Sequence, residues 1–275
     1  MSQRFQRVLV IQSNNRNLDH EVEYIKAYFE EKSFAVDILG QQTIEFGSRI
    51  KLRSTDYDFA IVAGGDGTVL YAAAVLRGTD IPIVAINFGH LGFLTSFEPD
   101  RIDQAFAKLA AGNWETETRD LISVQVGNHQ DFALNECGLF KIKPSQSIKV
   151  VVFIDEKEFG SFACDGVVIS TATGSTAYNY ANGGAIMWPD VEAMQLTVLA
   201  GQTRMPLPLV VSKNSQFSIV LASDTKSDAL VVNDGFRELP FEIGHTLQIA
   251  FSDERASFAS VFPSDFSKRL FDKLV

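Results

Sequence analysis

The sequence predicts a three-layer α/β domain followed by an all-β domain of sandwich type. Three observations lead there. Apolar runs alternate with helix-spaced stretches up to about residue 118. Short strand-like segments crowd the chain from residue 119 onward. A last stretch with helical spacing closes the sequence. At 275 residues the chain has room for one large domain or two modest ones. The expected division is 1–118 plus 255–275 for the α/β part and 119–254 for the β part.

The elements follow in order. Val8 to Ile11 is a short buried strand. From His20 to Glu31, Val22, Ile25, Tyr28 and Phe29 recur at helical spacing with acidic residues outside. Phe34 to Leu39 alternates as a strand, and Phe59 to Ala63 is wholly apolar and ends at Gly64-Gly65. Val69 to Leu76 resumes as a helix, and Ile81 to Ile86 is the next core strand. Asp100 to Ala111 reads as an amphipathic helix with Asp100 as its N-cap. Alternating strands and helices imply parallel pairing through crossovers. Beyond residue 118, strands are expected at 121–126, 132–140, 148–154, 158–163, 166–170, 217–221, 229–232 and 246–251. Ser264 to Leu274, with Phe266, Leu270 and Leu274 in phase, is a helix that returns to the first domain.

Composition narrows the function. Hydrophobic residues at 46% and charged residues at 21% are ordinary globular values, which excludes a disordered or collagenous chain. Lys plus Arg number 24 against 34 acidic residues, so the net charge of −10 argues against holding nucleic acid or anionic membrane on a broad basic surface. No apolar stretch reaches the roughly 18 residues of a membrane span. The N-terminus runs straight into a short strand and lacks the apolar core of a signal peptide. Cys137 and Cys164 form no close-spaced metal motif and read as reduced, buried thiols. A cytoplasmic protein is expected.

Gly64-Gly65-Asp66-Gly67-Thr68 lies where a strand ends and a helix begins, the place where open α/β sheets bind ligands. Its glycines let a phosphorylated ligand approach backbone N–H groups, and the following helix aims its positive end at the same spot. A carboxylate repels phosphate, so Asp66 suits a role facing a hydroxyl whose proton it accepts. The same spacing also suits a tight turn with Asp66 as helix N-cap. Neither a P-loop nor a Gly-x-Gly-x-x-Gly fingerprint is present.

A second dense segment starts at Asp165-Gly166 and continues from Ser170 to Asn179. Six of those last ten residues carry a hydroxyl, Tyr178 offers a flat face, and Gly183-Gly184 follows. A polar loop tying two strands would look similar. Asn135-Glu136 interrupts an apolar strand, so one of the two is expected to point inward and need a partner. His90, in the loop Asn87 to Leu94, is either a proton carrier or structural.

Taken in order, Gly64 to Thr68, Gly89-His90-Leu91-Gly92-Phe93, Leu134-Asn135-Glu136, Asp165-Gly166, Ser170 to Asn179, Gly183 to Ile186 and Asp234-Gly235 resemble the NAD kinase family. The resemblance covers about residues 59 to 236, and the segment from Asp165 to Ala185 is its most specific part. Gly-Gly-Asp-Gly alone is shared with phosphofructokinases and lipid kinases. The resemblance implies a Rossmann-like N-terminal domain joined to a β-sandwich. It implies transfer of a phosphoryl group from ATP, or in some bacterial members from polyphosphate, to the 2′-hydroxyl of the adenosine ribose of NAD. A divalent metal, usually magnesium, and a homodimer or homotetramer belong to the same implication. So do the residue roles. Asp66 becomes the general base, with Gly65 and Gly67 beside the ribose and Phe93 an apolar wall. Asn135 and Glu136 hold dinucleotide hydroxyls or the adenine edge, Thr176, Ala177 and Tyr178 form the adenine-side wall, and Ser175 and Ala181 also belong to the nucleotide-binding set. Asp165 bonds another part of the dinucleotide, in the family often across a subunit interface.

Three positions depart from the family pattern. Ala163 stands where many members have arginine, Ala172 where proline is usual, and Phe236 where glutamine is common. Two other functions share parts of the pattern. A related kinase of sugar phosphates or lipids would lack the Thr176-Ala177-Tyr178 segment, and a non-catalytic NAD(P) sensor would have no use for Asp66.

Overall fold

The apolar runs become strands buried on both faces, as parallel pairing requires. The computed structural model describes residues 6–14, 17–89, 92–201, 208–263 and 265–274. They form two units, one of residues 1–43, 50–118 and 256–275, the other of 44–49 and 119–255. The expected division did not place 44–49 with the second unit. Phe46 is the reason, because it is buried in that unit's apolar core.

In the first unit β1 (Gln6–Gln12), α1 (Asp19–Glu31), β2 (Phe34–Gly40), β3 (Phe59–Gly64), α2 (Asp66–Leu76), β4 (Ile83–Asn87) and α3 (Ile102–Ala110) alternate. The strand order is β2-β1-β3-β4, parallel throughout, with Val10 opposite Ile61 and Val62 opposite Ala85. Phe29, Phe34, Phe59 and Phe106 pack ring against ring beneath α1 and α3. The helix α2 buries Thr68 to Ala73, Val75 and Leu76, which explains its nearly unbroken apolar sequence. Asp100 does not cap α3. It lies in a 3-10 turn, Pro99–Arg101, and no side chain caps either element.

The second unit takes β5 (Glu115–Val126) from Arg119 onward, then β6 (His129–Ala133), β7 (Glu136–Lys141), β8 (Ile148–Ile154), β9 (Lys157–Cys164) and β10 (Gly166–Ser170). A 3-10 turn (Thr173–Thr176) and the one-turn α4 (Tyr178–Ala181) come next. They are followed by β11 (Ala193–Leu199), β12 (Leu209–Ser212), β13 (Phe217–Leu221), β14 (Ala229–Asn233), β15 (Arg237–Phe241) and β16 (Thr246–Ser260). One antiparallel sheet has the order β12-β11-β10-β7-β14-β15, and a second layer contains β16-β13-β8-β9 with β5 and β6. Their inner faces, among them Leu139, Ile169, Met194 and Val231 against Val150, Phe217, Ile219 and Ile249, share one core. The all-β sandwich is therefore present. Cys137 and Cys164 are free and buried.

Phe132 to Phe140, expected as one strand, is two. The break at Leu134-Asn135 exists because the Asp234 carboxylate, rather than a neighbouring strand, takes their backbone N–H groups. The end of β16 re-enters the first unit, where Phe258 pairs in parallel with Ile83. The helix α5 (Phe266–Leu274) also belongs to that unit. No described helix is long and apolar enough to cross a membrane.

Candidate active site

In the first unit the chain leaves β3 at Gly64 and enters α2 at Asp66, at the carboxyl end of the parallel strands. Gly65 is the N-cap, in an extended conformation, and Asp66 is the first helical residue, so Asp66 is not the cap. Its carboxylate instead reaches the Gly92–Leu94 loop. Phe93 N–H donates to Oδ2 at 2.8 Å and Leu94 N–H to Oδ1 at 3.0 Å. Gly92 makes this possible, since a Cβ there would lie 2.1 Å from Asp66 Oδ1. Gly65 and Gly67 are different: among the described residues, a Cβ on either would meet nothing within 4 Å. Neither packing nor a positive φ demands them, and they leave the front of the helix open to a ligand. The half-buried Asp66 thus sits at an uncovered helix N-terminus, where negative charge is favoured.

Phe93 is fixed from two sides. Arg269 Nη1 on α5 donates to its carbonyl at 2.7 Å, and its ring faces Phe266 with centroids 6.3 Å apart. Asn87, which sequence reasoning did not select, ends β4 directly opposite Gly64. Its Oδ1 accepts from Gly89 N–H, while its buried Nδ2 has no partner among the described residues. His90 and Leu91 lie outside the described residues.

In the second unit, Asn135 and Glu136 do not face opposite sides of one strand. Asn135 sits in the bend before β7, and both residues are buried. Asp234 holds this bend in place. It lies at φ +50° beside Gly235 at +75°, the paired left-handed conformation that an Asp-Gly turn accepts. Its carboxylate receives the N–H groups of Leu134, Asn135 and Glu136. Arg237 closes the network, bonding Asp234 Oδ2 and Asp131 Oδ1 at 3.0 Å each and the Phe132 carbonyl at 2.6 Å. Burial pushes the Asp234 carboxyl up, and Arg237 with the three amides pulls it back. Neither Asp131 nor Arg237 was evident from sequence.

Glu136 opens onto a cleft of about 270 Å³ lined by Phe140, Tyr178, Val232 and Gly235. Its Oε2 and the Asn135 Oδ1 are buried without a partner among the described residues. Burial, with the Asp234 charge nearby, pushes the Glu136 carboxyl up to about 8. Near neutral pH it is an O–H donor, ready for a ligand acceptor. A native proton affinity above the unfolded one means that the ordinary unfolded Glu ionises first as pH rises. Stability is then lost between about pH 5 and pH 8, at a limiting slope of roughly 1.4 kcal/mol per pH unit. Glu136→Gln removes this slope. Its melting temperature is expected to match the parent near pH 4.5 and to exceed it increasingly toward pH 8.5, as followed by circular dichroism.

The hydroxyl-rich segment divides by function. Ser175 is fully buried and bonds the Ala172 carbonyl and the Met187 amide, so it shapes the loop rather than lining the cleft. Thr171 Oγ1 donates to the Leu134 carbonyl, and Gly174 lies so close that a Cβ would be 2.0 Å from the Asn135 oxygen. Asn179 is fully buried, its Oδ1 accepting from Gln195 and Thr197. Thr176 and Ala177 are half-buried, and Ala181 is exposed. Tyr178 stands exposed at the cleft edge, its ring at right angles to Phe140 at 5.6 Å. Asp165 pairs with Lys141 at 2.6 Å, a cation that sequence reasoning did not select.

A family model for the ATP-NAD kinase N-terminal domain matches residues 6–114, and one for the C-terminal domain matches 134–261. An NAD kinase of Shewanella loihica is 38% identical over 235 residues, 82% of this chain and 80% of its own length. One of Bifidobacterium longum subsp. infantis is 34% identical over 235 residues, covering 83% of this chain and 70% of its own length. The chain belongs to the NAD kinase family. A solved NAD kinase from Archaeoglobus fulgidus in complex with ATP is 25% identical with a TM-score of 0.77, covering 98% of this chain and 97% of its own. A yeast NADH kinase complexed with NADH shares the fold, with a TM-score of 0.83 at 19% identity, over 98% of this chain and 87% of its own.

Two departures from the family pattern acquire a physical reading. Ala172 has φ −59°, the value a proline ring would impose, so the turn keeps its shape without one. The Phe236 ring lies 4.9 Å from the Arg237 guanidinium and covers it. The structure gives no account of Ala163. Among the described residues no three of His, Cys, Asp and Glu gather as a metal cage.

Proposed function

We propose that the chain transfers the terminal phosphoryl group of ATP to the 2′-hydroxyl of the adenosine ribose of NAD, making NADP, with Asp66 as general base. The observation that carries the reading is the Asp66 carboxylate, tethered by two backbone N–H groups beside two glycines that neither packing nor backbone conformation requires. Each carboxylate oxygen uses one lone pair on the loop and keeps another for a proton. A ribose hydroxyl attacks phosphorus better as its proton leaves, and positioning supplies most of the remaining rate. The open helix N-terminus and the bare Gly65 and Gly67 backbone suit the phosphates and ribose.

Glu136, protonated, and Asn135 would bond dinucleotide hydroxyls or the adenine edge, since both carry buried polar atoms without protein partners. Tyr178, with Thr176, Ala177 and Ala181, would wall the adenine side, and Asp165 would bond another part of the dinucleotide. Magnesium on the ATP phosphates would offset charge there, with Asp66 the adjacent carboxylate. Assembly as a homodimer or homotetramer and a cytoplasmic location belong to the same proposal.

The test is purified protein with ATP, magnesium and NAD, read by an NADP-specific dehydrogenase, with polyphosphate and NADH as parallel donor and acceptor. NADP formation with ATP is expected. Phosphorylation of a sugar or lipid in its place, or tight NAD binding with no product from either donor, would overturn the reading.

A further inference from the structure

Asp66 leaves an electrostatic difficulty, because a carboxylate at the reacting end repels the phosphates of the donor, in a chain whose net charge is already −10. The first unit contains an answer on α5. Phe266, Arg269, Leu270 and Lys273 recur at helical spacing and are all at least partly buried, while Phe271 is exposed. Arg269 holds the Phe93 carbonyl, which fixes the loop whose amides bind Asp66. One turn further on, Lys273 places its ammonium 4.2 Å from the centre of the Phe93 ring. Contact with a ring face holds a cation without consuming its N–H donors. Lys273 has no ion pair or hydrogen bond among the described residues, although Asp66 is near enough to act on it electrostatically.

We propose that Lys273 is the phosphate-binding cation of the Asp66 site, its ammonium meeting the polyphosphate chain of the donor above the Phe93 ring. The assignment rests on reading Asp66 as the reacting end. Partial burial, with Arg269 close by, lowers the lysine's proton affinity, and Asp66 restores part of it. A half-buried cation is also shielded less by salt than an exposed one, and phosphate gives it a partner that the described residues do not. Arg269, committed to the Phe93 carbonyl, is a positioning residue.

The probe is inorganic triphosphate with magnesium, titrated calorimetrically into the parent, Lys273→Met, Lys273→Arg and Asp66→Asn. Losing a charge-assisted hydrogen bond is expected to weaken triphosphate binding by roughly ten- to a hundredfold in Lys273→Met. The KM for ATP should rise in parallel while the KM for NAD stays constant, and Lys273→Arg should recover most of the affinity. Asp66→Asn, which removes a repelling charge but loosens the Phe93 loop, should lose much less triphosphate affinity than Lys273→Met. Turnover of that variant therefore reports on the base, and triphosphate affinity reports on Lys273. Unchanged triphosphate binding in Lys273→Met would overturn the assignment. So would equal losses for NAD and triphosphate accompanied by a lowered melting temperature in both lysine variants, the mark of a packing role.

Discussion

Arg237→Met is expected to destabilise the second unit by about 3–5 kcal/mol, more than any other single substitution considered, because it strands two buried carboxylates. The Arg237 side chain is 3% exposed, and those of Asp131 and Asp234 are 0% and 2% exposed. Methionine approximates the length of the arginine stem but supplies no donor. The Asn233 amide would remain on Asp131, and the three backbone N–H groups would remain on Asp234. The expected fall in melting temperature is on the order of 10 °C. The deficit should shrink at acid pH, because burial already pushes the Asp234 carboxyl up and the loss of Arg237 removes the charge that pulls it back. Arg237→Lys, with one ammonium for two carboxylates, should fall between the two. A urea titration of parent and variant at pH 7 and pH 5 checks both points. A loss below about 1 kcal/mol at pH 7 would mean that the network contributes little.

What was legible in the sequence was local. The strands Val8 to Ile11, Phe59 to Ala63 and Ile83 to Ile86 show as apolar runs because both faces are buried, and the glycine-bounded Asp66 turn shows because it follows one of them. The β11 strand left no such trace. Gln195 and Thr197 break its apolar run, and both are fully or almost fully buried because Asn179 satisfies them from a distant turn. The β16 strand runs on past Phe251, where the expected strand ends, and its charged continuation is held there as Arg255 pairs with Asp120 and Glu192. In the candidate site, motif residues stood out while their supports did not. Asp131 lies 106 positions from Arg237, and Arg269 lies 176 from Phe93. Such partners meet only through tertiary packing, which no local period records. Hydroxyl content is equally silent about partners: the Ser175 hydroxyl accepts from the Met187 backbone N–H across a loop.

Asp66→Asn is the substitution with the largest expected effect on catalysis. A positioned general base contributes about 10²- to 10⁴-fold, and a loss of kcat in that range is expected with the KM for NAD little changed. The carboxylate has a second task, since it binds the Phe93 and Leu94 amides. Asparagine keeps one acceptor oxygen for the loop but turns an NH2 group toward the other amide, so a modest fall in melting temperature should accompany the loss of turnover. Chemistry must therefore be separated from loop order. The decisive measurement is the rate of phosphoryl transfer in a single turnover, with Asp66→Asn saturated in both ATP and NAD and occupancy confirmed by calorimetry. A rate at least a hundredfold below the parent at full occupancy is the expected result. A transfer rate close to the parent's, or a deficit that vanishes once both substrates saturate, would contradict proton removal by Asp66.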